Sequence, residues 1–122
     1  MTDINFVLLY VESPKQSEAF YADILGRPAV ESSPTFVMFA MKSGVMLGLW
    51  GRDGVKPAAN APGGSEIAFA VANGEAVDAR CADWGKRGME IAQPPTDMDF
   101  GRTFVALDPD GHRLRVFAPG GR

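Results

Sequence analysis

The chain is poor in the groups that staple or metallate small proteins. Cys81 is the only cysteine and His112 the only histidine among 122 residues. No internal disulfide and no cysteine-rich zinc site can form, which is compatible with a reducing compartment. Positive charge is not in excess either: 12 Lys and Arg stand against 15 Asp and Glu, a net charge of −3, which argues against nucleic acid as a partner. The longest apolar run, Phe6 to Val11, is far too short to span a bilayer, and no basic segment precedes it, so a cytoplasmic protein is expected. What remains is ordinary globular material, 46% hydrophobic and 22% charged. A chain of this length buries on the order of two thirds of its unfolded surface and needs no cross-link.

Ile4 to Val11 is rich in β-formers and almost wholly apolar, the pattern of a strand covered on both faces. Ser13-Pro14-Lys15-Gln16 then joins an N-cap serine, proline at the first helical position and glutamine at the third. Phe20 with Ile24 and Tyr21 with Leu25 are each spaced one helical turn apart, and Gly26 followed by Pro28 ends the helix, which should cover 14–25. Short strands are expected at 29–31, 35–41 and 45–50. The stretch 51–64 carries four glycines and two prolines without apolar period and reads as a connector.

The order then repeats. A strand over 65–72 leads to a helix capped by Asn73, with Val77, Cys81 and Trp84 on one face and Gly88 after its end. A short strand at 89–92 and a Pro94-Pro95 loop over 93–99 follow. The last two strands flank Asp108-Pro109-Asp110-Gly111, whose residue types suit a type I turn. On the second of these strands His112, Leu114 and Val116 alternate with Arg113, Arg115 and Phe117, which gives one mainly apolar face and one cationic face. The expectation is a single α+β domain over 1–122, with two βαβββ repeats at 4–50 and 65–117, offset by roughly 60 residues. Each repeat covers one face of its sheet with its helix, so the pair is expected to make a curved mixed sheet around a central cavity.

With the paired units, the helix Ser17 to Gly26 and the Asp108 to His112 turn in hand, the chain resembles the vicinal oxygen chelate superfamily, which includes glyoxalase I, extradiol dioxygenases and bleomycin resistance proteins. Enzymes of that superfamily hold a divalent metal with one side chain from the first and last strands of each half. The resemblance carries those positions onto Phe6, Gly48, Glu66 and Arg115. Only Glu66 can ligate a cation: phenyl and glycine offer no donor, and a guanidinium repels the ion. The resemblance therefore implies no metal, no cofactor and no catalytic residue.

Ser65-Glu66-Ile67, Gly74 to Asp78 with Trp84, Thr96-Asp97 and Phe100 to Phe104 are similar to the metal-free members that sequester griseoluteic-acid-type phenazines. This implies a planar aromatic ligand and a homodimer with shared cavities. Trp50, ending a strand beside the connector, offers the flat face such a ligand needs. Phe6, Phe39 and Phe104 are candidates for the cavity wall, as are Phe36 and Phe117, although each strand aromatic also suits the core. Arg102 could hold a ligand carboxylate or pair with Asp97 or Asp99. Arg115 and Glu66, at facing positions, should pair with each other or meet a ligand. Trp84, Cys81 and His112 read as structural. The rival functions are an enzyme of the superfamily with an atypical metal site, a lyase, isomerase or dioxygenase, and a resistance protein for a cationic bleomycin-type drug, which the two arginines disfavour.

Overall fold

The computed structural model describes residues 2–120. The chain forms two compact units, Met1–Ala61 and Pro62–Arg122. The first holds β1 (Phe6–Val11), α1 (Pro14–Leu25), β2 (Glu31–Ser32), β3 (Phe36–Ala40) and β4 (Met46–Gly51), followed by a 3-10 turn at Arg52–Gly54. The second holds β5 (Glu66–Ala70), α2 (Gly74–Lys86), β6 (Glu90–Met98), β7 (Gly101–Leu107) and β8 (Arg113–Pro119). The βαβββ order expected of each repeat is present. Among the described residues, no helix is long and apolar enough to cross a membrane.

Local chemistry explains both helices. In α1 the Ser13 side chain accepts from the Gln16 amide, Pro14 occupies the first turn, and Gly26 takes the left-handed conformation at φ 67° that closes the helix. Of the expected face, Tyr21 is buried, in a row with Pro14 and Ser17, while Phe20, Ile24 and Leu25 are half-buried. In α2 the Asn73 side chain accepts from the Ala76 amide at 2.9 Å, and Val77 and Trp84 are buried. Gly74 opens α2 because the stem of Arg102 crosses it: a Cβ there would stand 3.2 Å from Arg102 Cδ.

Each unit contains a four-stranded mixed sheet, ordered β1-β4-β3-β2 in the first and β5-β8-β7-β6 in the second. The first and last strands of each unit run parallel, β1 with β4 and β5 with β8, and the remaining pairings are antiparallel. In the first unit Val11, Val37, Phe39, Leu47 and Leu49 are buried, and in the second Phe104, Ala106, Leu114, Val116 and Ala118. Trp84 is 2% exposed and meets Phe69 and Phe104 edge to face at 5.8 and 5.5 Å, so its structural reading holds.

Two local expectations change. Residues 93–99 are not a loop: β6 runs through Pro94 and Pro95 as a nine-residue strand with register shifts on both sides of Gln93. An edge strand tolerates this, because a proline needs no partner on the open side and bulges absorb the mismatch. Nor is β1 covered on both faces, for Phe6 and Leu8 are 41% and 44% exposed. The turn after β7 closes as expected, with the Gly111 amide donating to the Asp108 carbonyl at 3.0 Å. The buried Asp108 carboxylate accepts from the Asp110 and His112 amides and contacts His112 Nδ1 at 2.7 Å, so this histidine braces the turn.

Candidate functional site

Strand alternation sorts the candidate residues by face. In the first unit, register places Phe6, Leu8 and Tyr10 of β1 beside Met46, Gly48 and Trp50 of β4, with Phe36, Met38 and Ala40 of β3 beyond. This is the side away from the buried row of Val37, Phe39, Leu47 and Leu49. Its centre is apolar and aromatic, with Glu31 of β2 exposed at the edge opposite Met38. Trp50 is partly exposed and stands edge-on to Tyr10, with ring centroids 6.4 Å apart.

Gly48 is the centre of that face. A Cβ at this position would lie 2.7 Å from Leu8 Cδ2, 2.9 Å from Phe36 Cζ and 3.0 Å from Phe6 Cε1. The space of a side chain is thus filled by three apolar ones. This is one of the positions at which the superfamily enzymes carry a metal ligand. Neither Gly48 nor Phe6 brings a donor atom, and the neighbours that converge here bring none.

The second unit carries a different open face. Glu66 and Ala68 of β5, Arg113, Arg115 and Phe117 of β8, and Thr103, Val105 and Leu107 of β7 share it by register. Arg115 holds Glu66 in a fork, Nε donating to Oε1 at 2.8 Å and Nη2 to Oε2 at 2.9 Å. Nη1 donates to Thr103 Oγ1 at 3.2 Å and to Gln93 Oε1 at 3.4 Å, and the guanidinium carbon lies 5.9 Å from the Phe100 ring centroid. The hydrogen bonds from Arg115 hold the Glu66 carboxyl below its usual range, against an opposing push from partial burial. The same pair raises the guanidinium pKa further. The donor set does not fit a divalent cation, since its single carboxylate is already neutralised by a fixed positive charge. Among the described residues, no group of three His, Cys, Asp or Glu side chains could hold a metal ion.

The structure therefore brings Glu66 and Arg115 together in the second unit, and Phe6 and Trp50 onto one face in the first. Three candidates fall elsewhere. Phe39 and Phe104 are 0% exposed and sit on the buried faces of their sheets, Phe104 against Trp84 of α2, so neither ring has surface to offer a ligand. β3 does carry an aromatic to the open side, Phe36 at the other parity, whereas β7 holds no aromatic besides Phe104. Arg102 also lies on the helix side, where its Nε donates to Asp78 at 2.8 Å and its Nη1 to Asp97 at 3.0 Å. Its partner set includes the Asp97 named from sequence and adds Asp78 from α2. The hydrogen bonds it donates to Asp78 and then to Asp97 raise its pKa further.

Sequence reasoning missed Leu8, Phe100, Gln93 and Thr103 as members of the open faces. For Leu8 the signal was present, because it alternates with Phe6. For Gln93 it was hidden by the register shifts of β6. Cys81 is half-buried, and burial followed by the nearby Asp78 charge pushes its thiol pKa up, away from reactivity.

The pattern of the Glyoxalase/Bleomycin resistance protein/Dioxygenase superfamily matches residues 3–116, and the chain belongs to this superfamily. It is 36% identical over 116 residues to the phenazine antibiotic resistance protein EhpR of Enterobacter agglomerans, covering 92% of this chain and 88% of that one. The solution structure of protein ATC0852 from Agrobacterium tumefaciens is similar with a TM-score of 0.91 and 48% identity, over 99% of this chain and all of the other. A glyoxalase-related enzyme from Fulvimarina pelagi shares the fold at a TM-score of 0.85 and 20% identity, over 97% of this chain and 88% of that one.

Proposed function

We propose that this protein binds a planar aromatic antibiotic of the phenazine class and withholds it unchanged, without a metal and without catalysis. The observation that carries the reading is the open face of the first unit, where the rings of Phe6 and Phe36 and the Leu8 side chain fill the space over Gly48 and Trp50 lies alongside. An apolar face with an indole suits a flat heteroaromatic ring, and it offers no means of polarising one. The 36% identity to a phenazine resistance protein supports the same reading. Phe6 and Trp50 are the proposed stacking residues, and the Glu66–Arg115 pair is the proposed polar contact.

For a ligand of about 25 heavy atoms, roughly −0.3 kcal/mol per atom gives about −7.5 kcal/mol, a low-micromolar dissociation constant. Protection by such a binder requires abundant protein, acting in the cytoplasm as a homodimer with shared ligand cavities. Titration with phenazine-1-carboxylate followed by tryptophan fluorescence tests the binding. Saturable quenching in the micromolar range is expected, and Trp50→Ala should weaken it about tenfold or more. No response up to millimolar ligand counts against the reading. Mass spectrometry of the recovered phenazine and elemental analysis of protein prepared without chelator test the remaining claims. A changed phenazine, or a divalent metal near one per chain, would make the protein an enzyme. Light scattering reads the dimer.

A further inference from the structure

The open face of the second unit holds two arginines and spends only one of them. Arg115 is committed, with Nε, Nη1 and Nη2 all donating to Glu66, Gln93 or Thr103. Arg113, two residues along β8 and on the same face, is 62% exposed, and its Nη1 is 3.9 Å from Glu66 Oε2. That oxygen already accepts from Arg115 at 2.9 Å. One carboxylate is thus shared by two fixed cations, and the local sum is one positive charge. Glu90 shares this face at the far edge strand, opposite Leu107, about two interstrand spacings or 10 Å from Arg113. At that distance and exposure its charge is largely screened.

We propose that Arg113 recognises an anionic substituent, a carboxylate in particular, on the aromatic ligand. This rests on the reading of the protein as a phenazine binder. Arg102, for which the sequence leaves open a ligand carboxylate or a pairing with Asp97 or Asp99, is engaged by Asp78 and Asp97 on the opposite side of the sheet. Arg113 instead presents a planar fork whose donors make no side-chain hydrogen bond to another described residue. A carboxylate matches that fork with two parallel charge-assisted bonds, whereas a carboxamide of the same shape matches it with neither the charge nor both acceptors. Glu66 has a second effect. Lying directly opposite Arg113 across β5 and β8, it holds the guanidinium over the open face and repels an anion that approaches from the β5 side. The substituent is therefore selected by position as well as by charge.

Calorimetric titration of the full chain with phenazine-1-carboxylate and with phenazine-1-carboxamide, at neutral pH and about 0.1 M salt, tests the assignment. The carboxylate should bind about tenfold tighter than the amide, the effect of one partly desolvated charge-assisted contact. Arg113→Ala should remove that preference while changing amide affinity less than twofold, and Arg113→Lys, a point charge without the fork, should keep part of it. Raising the salt should narrow the gap in the parent protein and leave the alanine variant unmoved. Equal binding of the two probes, or a preference that survives Arg113→Ala, overturns the role of Arg113 and leaves phenazine binding intact. Failure of both probes to bind overturns the phenazine reading itself.

Discussion

The two sheets share one strand order, and their chemistry differs most on one side. Both follow the order first, fourth, third, second strand, and both bury an aromatic residue of their helix, Tyr21 in one unit and Trp84 in the other. On the side away from the core the first sheet is apolar and aromatic around Gly48, while the second carries the Glu66–Arg115 fork and Arg113. The covered side must satisfy close packing and changes little in character. The open side carries no such demand, so this is where the repeats diverge in chemistry.

Breaking the covered side should have the largest effect. Trp84→Ala removes a nearly fully buried indole from between Phe69 and Phe104 and should cost about 3–5 kcal/mol in urea unfolding. A loss below 1 kcal/mol would mean that the second unit does not depend on its helix. Next comes the open polar side. Arg115→Met strips Glu66, 29% exposed, of its hydrogen-bonded partner and leaves it only the exposed Arg113 at 3.9 Å, and should cost about 1–2 kcal/mol after allowance for solvent. Adding Glu66→Gln should recover most of this, which a double-mutant cycle reads directly.

The pH dependence sharpens the same contrast, because register places Glu31 on the first sheet's open face only at the exposed edge strand, opposite Met38, whereas Glu66 is held in a fork by Arg115. Hydrogen bonds from Arg115 hold the folded pKa of Glu66 below the ordinary value of a glutamate. Its contribution is therefore complete above that value and is lost as pH falls through the lower folded pKa. The stability difference between the parent protein and Glu66→Gln should be constant from pH 7 down to about 5 and should shrink below that. A difference that grows on acidification would reverse the sign of the coupling. The smallest effect is expected on the helix side: Arg102→Ala loosens the tie between α2 and β6, yet phenazine affinity should stay within twofold of the parent. A larger loss of affinity would return Arg102 to the ligand.

Much of this organisation was legible in the residues. Ser13-Pro14, Gly26 and Asn73 mark helix ends through contacts a few residues long, and the Asp108 turn likewise depends on its own side chain and backbone. The Glu66–Arg115 pair was also within reach, because the superfamily resemblance puts both residues at ligand positions of one site, although in register Glu66 stands opposite Arg113. The side taken by Phe39, Phe104 and Arg102 was not. Each sits on a strand whose alternation is clear, but alternation states only that neighbours oppose one another. It does not say which parity meets the helix. The extension of β6 through two prolines was hidden for a related reason, since a proline argues against a strand until the strand is known to be an edge.

The sequence by itself determined the repeat, the helix boundaries, the turn that joins β7 to β8 and the presence of a single metal-ligating side chain, Glu66, among the superfamily's four positions. These follow from residue chemistry acting over a few positions, or from atoms a side chain does not have. Only the tertiary structure decided which arginine is left with donors to spare and which aromatic rings keep an open face. Those outcomes depend on strand register and on the helix that covers each sheet, contacts made between residues far apart in the chain.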